Sequence, residues 1–278
     1  GTVNSLELHN LTPGDRYFAG ITGFNGIQAF SLETLEPAFE YSNPADTIVD
    51  GKIKRVTGER FFIQKLQLED GLMLISQINP SNDNQSGKVD VVSIDDKRHL
   101  CTIDMAYGFR TATSVYMRGG YVIAAQRKGS RAWLSIHDAK TGEELFRRTG
   151  VDDLVGEPFV SGTNIIVPVT SLGFGKLMKI DIAKGEKLWE KKFDYQRVAG
   201  ASEPLLGLPL DQAEQMSIPV DGHVSGDELW FCLRDGEENS LAAFDTDGNM
   251  ATVIEIDKRI GAGFRTTEDK LFVHTADG

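Results

Sequence analysis

The sequence predicts an all-β fold, a β-propeller of about six four-stranded antiparallel blades, because one segment recurs along the chain. Its two best copies are IHDAKTGEELF at Ile136–Phe146 and IDIAKGEKLW at Ile180–Trp189. Weaker copies surround Ser31, Asp95 and Asp245. Asp95, Asp138 and Asp181 are 43 residues apart. A repeat period in the forties with strand-like units is typical of propellers.

The first strong repeat can be divided into strands from Gly119 to Phe146. Apolar, β-branched and aromatic runs, which favour strands, alternate there with polar turns that contain Gly. The run GGYVIAAQ comes first, RAWLSIHD follows the turn RKGS, and EELFRRT follows the turn AKTG. With an entering strand before Gly119, these hairpins make one blade of four strands. The next unit repeats the order with GTNIIVPVT, KLMKIDI and KLWEKKF.

Each strong repeat has an Asp before its tight turn, and we expect this side chain to close the turn. An Asp carboxylate accepts hydrogen bonds from backbone N–H groups of the following residues, and the Gly adopts a positive φ at little cost. We expect the aromatic residue after the turn, Phe146 or Trp189, to cover the contact between neighbouring blades. These roles are structural rather than catalytic.

In these repeats the chain resembles the quinoprotein-like propellers, whose repeat reads approximately Ala-Leu-Asp-x-x-Thr-Gly-x-x-x-Trp. The matching residues are Ile136, Asp138, Thr141, Gly142 and Phe146 in one repeat and Ile180, Asp181, Gly185 and Trp189 in the next. The match is good over Gly119–Phe193 and loose elsewhere. The resemblance implies a fold and no particular activity. Similar proteins include a periplasmic propeller lipoprotein of outer-membrane protein assembly and sensor domains fused to kinases.

The two termini are expected to share one last blade, which would close the ring and remove exposed sheet edges. The stretch Leu8–Phe18 aligns without a gap with the first strong repeat, and this alignment places Asn10 at the turn-closing position. The C-terminal stretch from Ile260 supplies the first two strands of a blade. Counted through the C-terminus, Asp245 to Asn10 is again 43 residues. The register of residues 17–68 stays open, so five and seven blades are alternatives.

Composition and charge limit the classes of partner. The 278 residues are 40% hydrophobic and 25% charged, which is ordinary for a globular domain, and we expect residues 1–278 to form a single one. A net charge of −12 without a basic stripe disfavours nucleic acid and anionic membranes. No apolar run approaches the roughly 20 residues of a membrane-spanning helix, so direct membrane insertion is not expected. Because the chain opens at Gly1, we expect it to be excised from a longer protein.

The two cysteines are not expected to form a disulfide. Cys101 should lie on an outer strand of one blade, and Cys232 should lie in the second strand of a distant blade. A disulfide needs Cα atoms within about 7 Å. Two buried free thiols are therefore expected.

Four charged residues form the candidate binding site. The innermost strand of each blade should begin shortly after the last strand of the preceding blade. At those points the chain reads YGFRTAT, VGEPFVS, ASEPLLG and AGFRTTE, and the candidates are Arg110, Glu157, Glu203 and Arg265. Two arginines and two glutamates around one mouth of the channel would make a polar ligand site. The alternative is that these strand-start residues pair with one another across blades.

The sequence favours binding over catalysis. It has no paired-histidine zinc spacing, nucleophile elbow, phosphate loop or dinucleotide fingerprint, and we expect no metal and no cofactor. We therefore expect a non-catalytic scaffold that engages a protein, a peptide or a small ligand through its face loops and channel mouth. Its expected location is extracytoplasmic, in the periplasm or at the surface of a bacterium. The oligomeric state stays open.

Two enzymatic alternatives remain. In a propeller hydrolase or lyase, Glu157 and Glu203 would serve as a carboxylate pair. The family resemblance also suggests a quinone-dependent dehydrogenase. Those enzymes have larger rings, an adjacent cysteine pair over the cofactor and acidic calcium ligands, whereas this chain is short and its cysteines are 131 residues apart.

Overall fold

The structure is a computed structural model of the chain. It describes residues 9–22, 26–41, 46–49, 52–55, 61–79, 86–106, 114–128, 131–149, 158–171, 174–193, 197–198, 223–225, 228–235, 238–256, 260–266 and 271–275. The regular elements within these ranges are all β-strands, as the repeat predicts. Within the same ranges, no helix has the length and apolar character needed to cross a membrane.

The N-terminal half forms two four-stranded sheets with a separate hairpin between them. The first sheet contains β1 (His9–Pro13), β2 (Tyr17–Thr22), β3 (Gly26–Ser31) and β4 (Pro37–Tyr41). The hairpin contains β5 (Asp46–Val49) and β6 (Lys52–Arg55). The second sheet contains β7 (Phe62–Glu69), β8 (Leu72–Ile78), β9 (Ser86–Ser93) and β10 (Arg98–Ala106). Consecutive strands pair antiparallel in both sheets.

Two further four-stranded sheets follow in the same chain order. The third contains β11 (Val115–Arg118), β12 (Tyr121–Lys128), β13 (Arg131–Asp138) and β14 (Glu144–Thr149). The fourth contains β15 (Phe159–Ser161), β16 (Asn164–Ser171), β17 (Phe174–Asp181) and β18 (Glu186–Phe193). These strands confirm the division predicted for the two strong repeats.

The C-terminal part forms a five-stranded sheet and a two-stranded sheet. The fifth sheet contains β19 (Arg197–Val198), β20 (His223–Ser225), β21 (Glu228–Asp235), β22 (Glu238–Phe244) and β23 (Met250–Ile256). Both β19 and β20 pair with β21. The last sheet contains β24 (Ile260–Thr266) and β25 (Leu271–Thr275), which are the two C-terminal strands that the sequence predicts.

The chain divides into two compact units, and each has its own apolar core. The first unit comprises residues 1–122, 126–130 and 137–144, and the second comprises residues 123–125, 131–136 and 145–278. In the first unit, side chains of the first and second sheets form one cluster that includes Ile27, Ala29, Met73, Ile75 and Ile94. In the second unit, side chains of the fourth and fifth sheets form another, made by Ile166, Leu177, Leu229, Ala242 and Phe244.

Asp138, Asp181 and Asp245 close the turn before the last strand of the third, fourth and fifth sheets. Asp138 Oδ1 accepts hydrogen bonds from the N–H groups of Lys140 and Thr141, at 2.9 and 2.8 Å. Asp245 Oδ1 accepts from Asp247 and Asn249, at 2.9 and 2.7 Å. These contacts confirm the role predicted for the turn residues.

The assignment of Asp95 to this position is wrong. Ser93 closes the turn of the second sheet, because its Oγ accepts a hydrogen bond from the N–H of Asp96 at 3.1 Å. The next residue, Ile94, donates its N–H to the carbonyl of Gly71, as Ala139 does to Gly120 in the third sheet. Asp95 and Asp96 follow an isoleucine, as the repeat Asp does in the strong repeats. The backbone pairing shows instead that the turn-closing position is Ser93, two residues before Asp95.

The placement of Leu8–Phe18 in the last blade is also wrong for the part that the structure describes. Asn10 lies inside β1, which pairs with β2 in the first sheet, and Gly14 donates its N–H to the carbonyl of Tyr17 at 2.8 Å. In that sheet Ser31 occupies the turn-closing position, where its Oγ accepts from the N–H of Glu33 at 3.2 Å. The added β5–β6 hairpin accounts for the long interval before the second sheet.

The cysteines lie where the sequence predicts. Cys101 is buried on β10, the last strand of the second sheet, and it is a free thiol. Burial raises the pKa of this thiol to about 11. Cys232 lies on β21, which is second in the fifth sheet, next to the edge that β19 and β20 form.

Candidate functional site

The four residues predicted to surround the channel mouth are only partly visible. Arg110, Glu157 and Glu203 lie outside the described residues. Arg265 lies on β24, the first strand of its sheet, opposite Phe272 on β25. The proposed grouping of these four residues stays a prediction.

A cluster of ionisable and polar side chains surrounds Asp90 in the first unit. Asp90 lies on β9, and its side chain reaches β4 of the first sheet as well as both neighbouring strands of its own sheet. Its Oδ2 accepts from Tyr41 Oη at 2.5 Å and from Gln77 Nε2 at 2.6 Å. Its Oδ1 accepts from Thr102 Oγ1 at 2.6 Å. Asp90 is only 2% exposed.

Two basic side chains complete this cluster. Lys88 Nζ lies 3.2 Å from Asp90 Oδ2, and His99 Nε2 lies 3.4 Å from Asp90 Oδ1. His99 Nε2 is also 3.0 Å from Thr102 Oγ1, and its side chain is about half exposed. We name these six residues the Asp90 cluster; its members are Tyr41, Gln77, Lys88, Asp90, His99 and Thr102.

Electrostatics keep the carboxylate of this cluster ionised. Burial alone would raise the pKa of Asp90, but hydrogen bonds from Thr102 and Tyr41 and the charge of Lys88 outweigh burial and lower that pKa below its ordinary value. Burial is also the main reason that the pKa of Tyr41 is raised, and the Asp90 charge adds to it. The cluster therefore pairs an anionic carboxylate with a neutral phenol.

The chemistry available to the Asp90 cluster is anchoring. Tyr41, Gln77 and Lys88 contact Asp90 Oδ2, and Thr102 donates to Asp90 Oδ1. Because Tyr41 lies on the last strand of the first sheet, the cluster ties that strand to the second sheet.

A second polar contact joins the same two sheets at the turns. Arg16 Nη2 donates to Asp95 Oδ2 at 2.7 Å, and Tyr17 Oη donates to Asp95 Oδ1 at 2.6 Å. The hydrogen bond from Tyr17, followed by that from Arg16, lowers the pKa of Asp95. Asp95 thus joins two sheets instead of closing its own turn.

Exposed apolar side chains lie on outer strands and on one turn. These residues are Leu32, Leu35, Leu188, Met250, Val253 and Phe272. Leu32 and Leu35 lie in the turn after β3, Leu188 lies on β18, and Met250 and Val253 lie on β23. Exposed apolar groups that cluster on a folded frame are candidates for contact with a partner.

Sequence reasoning missed the Asp90 cluster, because its members come from four strands and two sheets. The one local signal is a charged residue inside an apolar strand, since Asp90 interrupts the run from Val89 to Val92. Such an interruption indicates a buried, paired carboxylate. It gives no indication of the partner Tyr41, which lies 49 residues away.

Comparison with solved structures identifies the fold. The chain is similar to BamB from Moraxella catarrhalis at 14% identity and a TM-score of 0.56, over 97% of this chain and 67% of that one. It is similar to Kluyveromyces lactis Hsv2 at 9% identity and a TM-score of 0.56, over 98% and 71%. It is similar to the Dos1 propeller at 12% identity and a TM-score of 0.50, over 89% and 58%.

No protein-family model matches the chain, and no curated protein matches it. The evidence for its relationship is therefore the order of its antiparallel sheets, its turn-closing residues and its likeness to solved propellers. This chain has the fold of a quinoprotein-like β-propeller.

Proposed function

We propose that this protein is a non-catalytic propeller scaffold that binds a protein or a peptide. The observation that carries the proposal is the contrast between its interior and its surface. The carboxylate of the Asp90 cluster is engaged by neighbouring side chains of the protein, whereas large apolar side chains such as Leu35 and Phe272 are exposed. Polar groups bonded internally favour rigidity, and exposed apolar groups on a rigid frame favour recognition.

The proposed scaffold has six blades. The five larger sheets are its first five blades, and β24 with β25 starts the sixth. Because β1 already belongs to the first sheet, we propose that the residues before His9 complete the sixth blade. A blade shared by both termini would close the ring and leave only the short outer edge that each propeller blade retains.

The proposed ligand surface includes the channel mouth as well as the face loops. Arg110, Glu157, Glu203 and Arg265 are its candidate residues. The replacement of Arg110 and Arg265 by Ala should leave folding intact and abolish binding of a fluorescent polyglutamate peptide. The exposed Arg98 provides the matched control, and its replacement by Ala should leave that binding unchanged. If the wild type and the double variant bind this peptide with equal affinity, the channel-mouth site is wrong.

We also propose an extracytoplasmic location. The resemblance to quinoprotein-like propellers, which include a periplasmic lipoprotein, supports this location. Fractionation of the source cells, with antibodies against the chain as the probe, tests it. Recovery with cytoplasmic markers alone would overturn this part of the proposal.

The binding function is tested with the complete chain. The purified protein is first cross-linked to its partners in a cell-envelope extract. Each partner is then produced separately and titrated against the protein by calorimetry. We expect saturable binding at a fixed stoichiometry. Turnover of sugar or lactone substrates that Glu157→Gln or Glu203→Gln abolishes would contradict the proposal and favour the hydrolase or lyase.

A further inference from the structure

The turn after β3 exposes two leucines, and the equivalent turns of the other sheets have no leucine at these positions. Leu32 is 45% exposed and Leu35 is 69% exposed. Leu32 follows the turn-closing residue of the first sheet, and its counterparts in the next three sheets are all buried. These counterparts are Ile94, Ala139 and Ile182. The first sheet therefore presents at its surface an apolar position that three other sheets bury.

Leu35 also has an unfavourable backbone conformation. Its φ is +60°, and the bond from its N–H to the carbonyl of Ser31, at 2.9 Å, holds it there. At the corresponding point of three other turns the residue is glycine: Gly142, Gly185 and Gly248, with φ between +65° and +77°. The left-handed region is unfavourable for an L-residue that has a Cβ. An exposed leucine thus occupies a position where glycine would make the folded protein more stable. Folding stability therefore does not explain why the residue is leucine.

Packing explains the glycines at the other turns. A Cβ on Gly142 would lie 3.2 Å from Cys101 Cβ, and a Cβ on Gly248 would lie 2.7 Å from the Trp189 ring. Each of these glycines contacts the outer strand of the neighbouring sheet. The side chain of Leu35 is instead directed into open surface, where a bulky residue fits.

Three carboxylates lie near the two leucines in the chain. Glu33, Glu36 and Glu40 are exposed on the same turn and on the following strand β4. Among the residues that the structure describes, no lysine or arginine forms an ion pair with these three carboxylates. The surface therefore combines an apolar centre with an acidic rim, within a chain of net charge −12.

From this arrangement we infer that the turn Leu32–Glu36 is the docking site for a partner segment that carries apolar side chains flanked by lysine or arginine. The inference rests on the proposed binding function and names its surface and the chemistry of its partner. The leucines would enter an apolar contact, and the rim would supply charge complementarity and steer association. The strained Leu35 is retained because it presents its side chain to the partner.

The test uses a fluorescent peptide of alternating lysine and leucine, and fluorescence anisotropy measures its affinity for the complete chain. Leu35→Gly relieves the backbone strain and removes the side chain, so this variant should be folded at least as stably as the wild type. It should bind about 5- to 10-fold more weakly, as expected for the loss of an interface anchor. Leu32→Ser should weaken binding similarly, and Glu33→Gln with Glu36→Gln should reduce its dependence on salt.

Lys97→Gly is the matched control. Lys97 has φ +53° at the equivalent turn of the second sheet, so this replacement relieves the same strain without touching the leucines. Its affinity should equal that of the wild type. A peptide of alternating lysine and serine should bind more weakly, because charge alone does not fill the apolar centre.

Three results would overturn the inference. The first is an unchanged peptide affinity in Leu35→Gly, and the second is a loss of affinity in Lys97→Gly equal to that in Leu35→Gly. The third is a concentration-dependent dimer that Leu35→Gly abolishes, because the turn would then bind a second copy of the chain. If a partner found by cross-linking binds the wild type and Leu35→Gly equally, the docking site fails and the binding function stands. If no partner binds saturably, the binding function itself fails.

Discussion

At the scale of single residues, Asp90 shows how a buried charge can serve the fold. It is held by Tyr41, Gln77, Thr102 and Lys88. A buried carboxylate is tolerated only where such partners replace its hydration. The loss of the charge should therefore cost more stability than the loss of an exposed carboxylate.

Replacement of Asp90 by Asn should destabilise the protein by about 2–4 kcal/mol at pH 7, because it removes the anion that three donors and Lys88 share. The pKa of Asp90 is lowered in the folded protein, so its contribution is present above the ordinary Asp pKa and is lost as the pH falls through the lowered value. Urea unfolding of both proteins between pH 2 and pH 7 measures the difference, which is compared with an Asp pKa of about 4 in the unfolded chain.

The difference should shrink towards the acidic end of that range. Asp96→Asn, at an exposed position of the neighbouring turn, provides the control and should have little effect. A difference between wild type and Asp90→Asn that is independent of pH would contradict this account of the cluster.

Gly248 offers a second prediction at this scale. Its φ is +73° and a Cβ there would meet Trp189 at 2.7 Å, whereas Gly120, with φ +82°, has nothing within 4 Å. Gly120→Ala should cost about 1 kcal/mol from backbone strain alone. Gly248→Ala should cost about 1–2 kcal/mol more, because the methyl group displaces a packed indole. Chemical denaturation measures the free energy of unfolding of both variants. Equal losses would show that Trp189 moves aside without cost.

At the scale of elements, the turn before the last strand of a sheet is closed by different side chains in different sheets. Ser closes it in the first two sheets and Asp closes it in the third and fifth. The sequence alone predicts the positions of Asp138 and Asp245. It misplaces the turn of the second sheet, because an Asp pair lies beside the Ser and only the backbone pairing distinguishes them.

Asp138→Ala should destabilise the protein by about 1 kcal/mol, since the turn loses the acceptor for the N–H groups of Lys140 and Thr141. Asp138→Ser should recover most of this loss, because Ser performs the same role at Ser31 and Ser93. Thermal unfolding of the three proteins tests the rule. A serine variant no more stable than the alanine variant would show that the turn requires a carboxylate.

At the scale of the whole molecule, the sequence predicts the architecture better than the closure. Strong repeats at Asp138 and Asp181 establish four-stranded units, since turn residues and strand patterns there agree. The alignment of Leu8–Phe18 with the repeat is misleading, because a strand followed by Pro-Gly-Asp resembles a strand followed by the repeat turn. Only the pairing of β1 with β2 separates the two cases. The Asp90 cluster is likewise beyond sequence reasoning, because no spacing relates its four strands.

Removal of residues 1–8 should selectively expose the last sheet. If these residues complete the sixth blade, the amides of β24 and β25 lose protection in the shortened chain, because their sheet becomes an isolated hairpin. Hydrogen exchange measured by mass spectrometry provides the readout, and the amides of β16 and β17 serve as the internal control. Unchanged exchange in β24 and β25 would argue that the ring is closed differently.

The contact between Trp189 and the turn of the fifth sheet gives the protein an intrinsic optical reporter. Within the described residues, the buried indole Nε1 of Trp189 has no hydrogen-bond acceptor, and its ring lies against Gly248. An indole that packing shields from water emits at shorter wavelength than one in water. With Trp133 and Trp230 replaced by Phe, the emission maximum of Trp189 would report the separation of the fourth and fifth sheets without any added label.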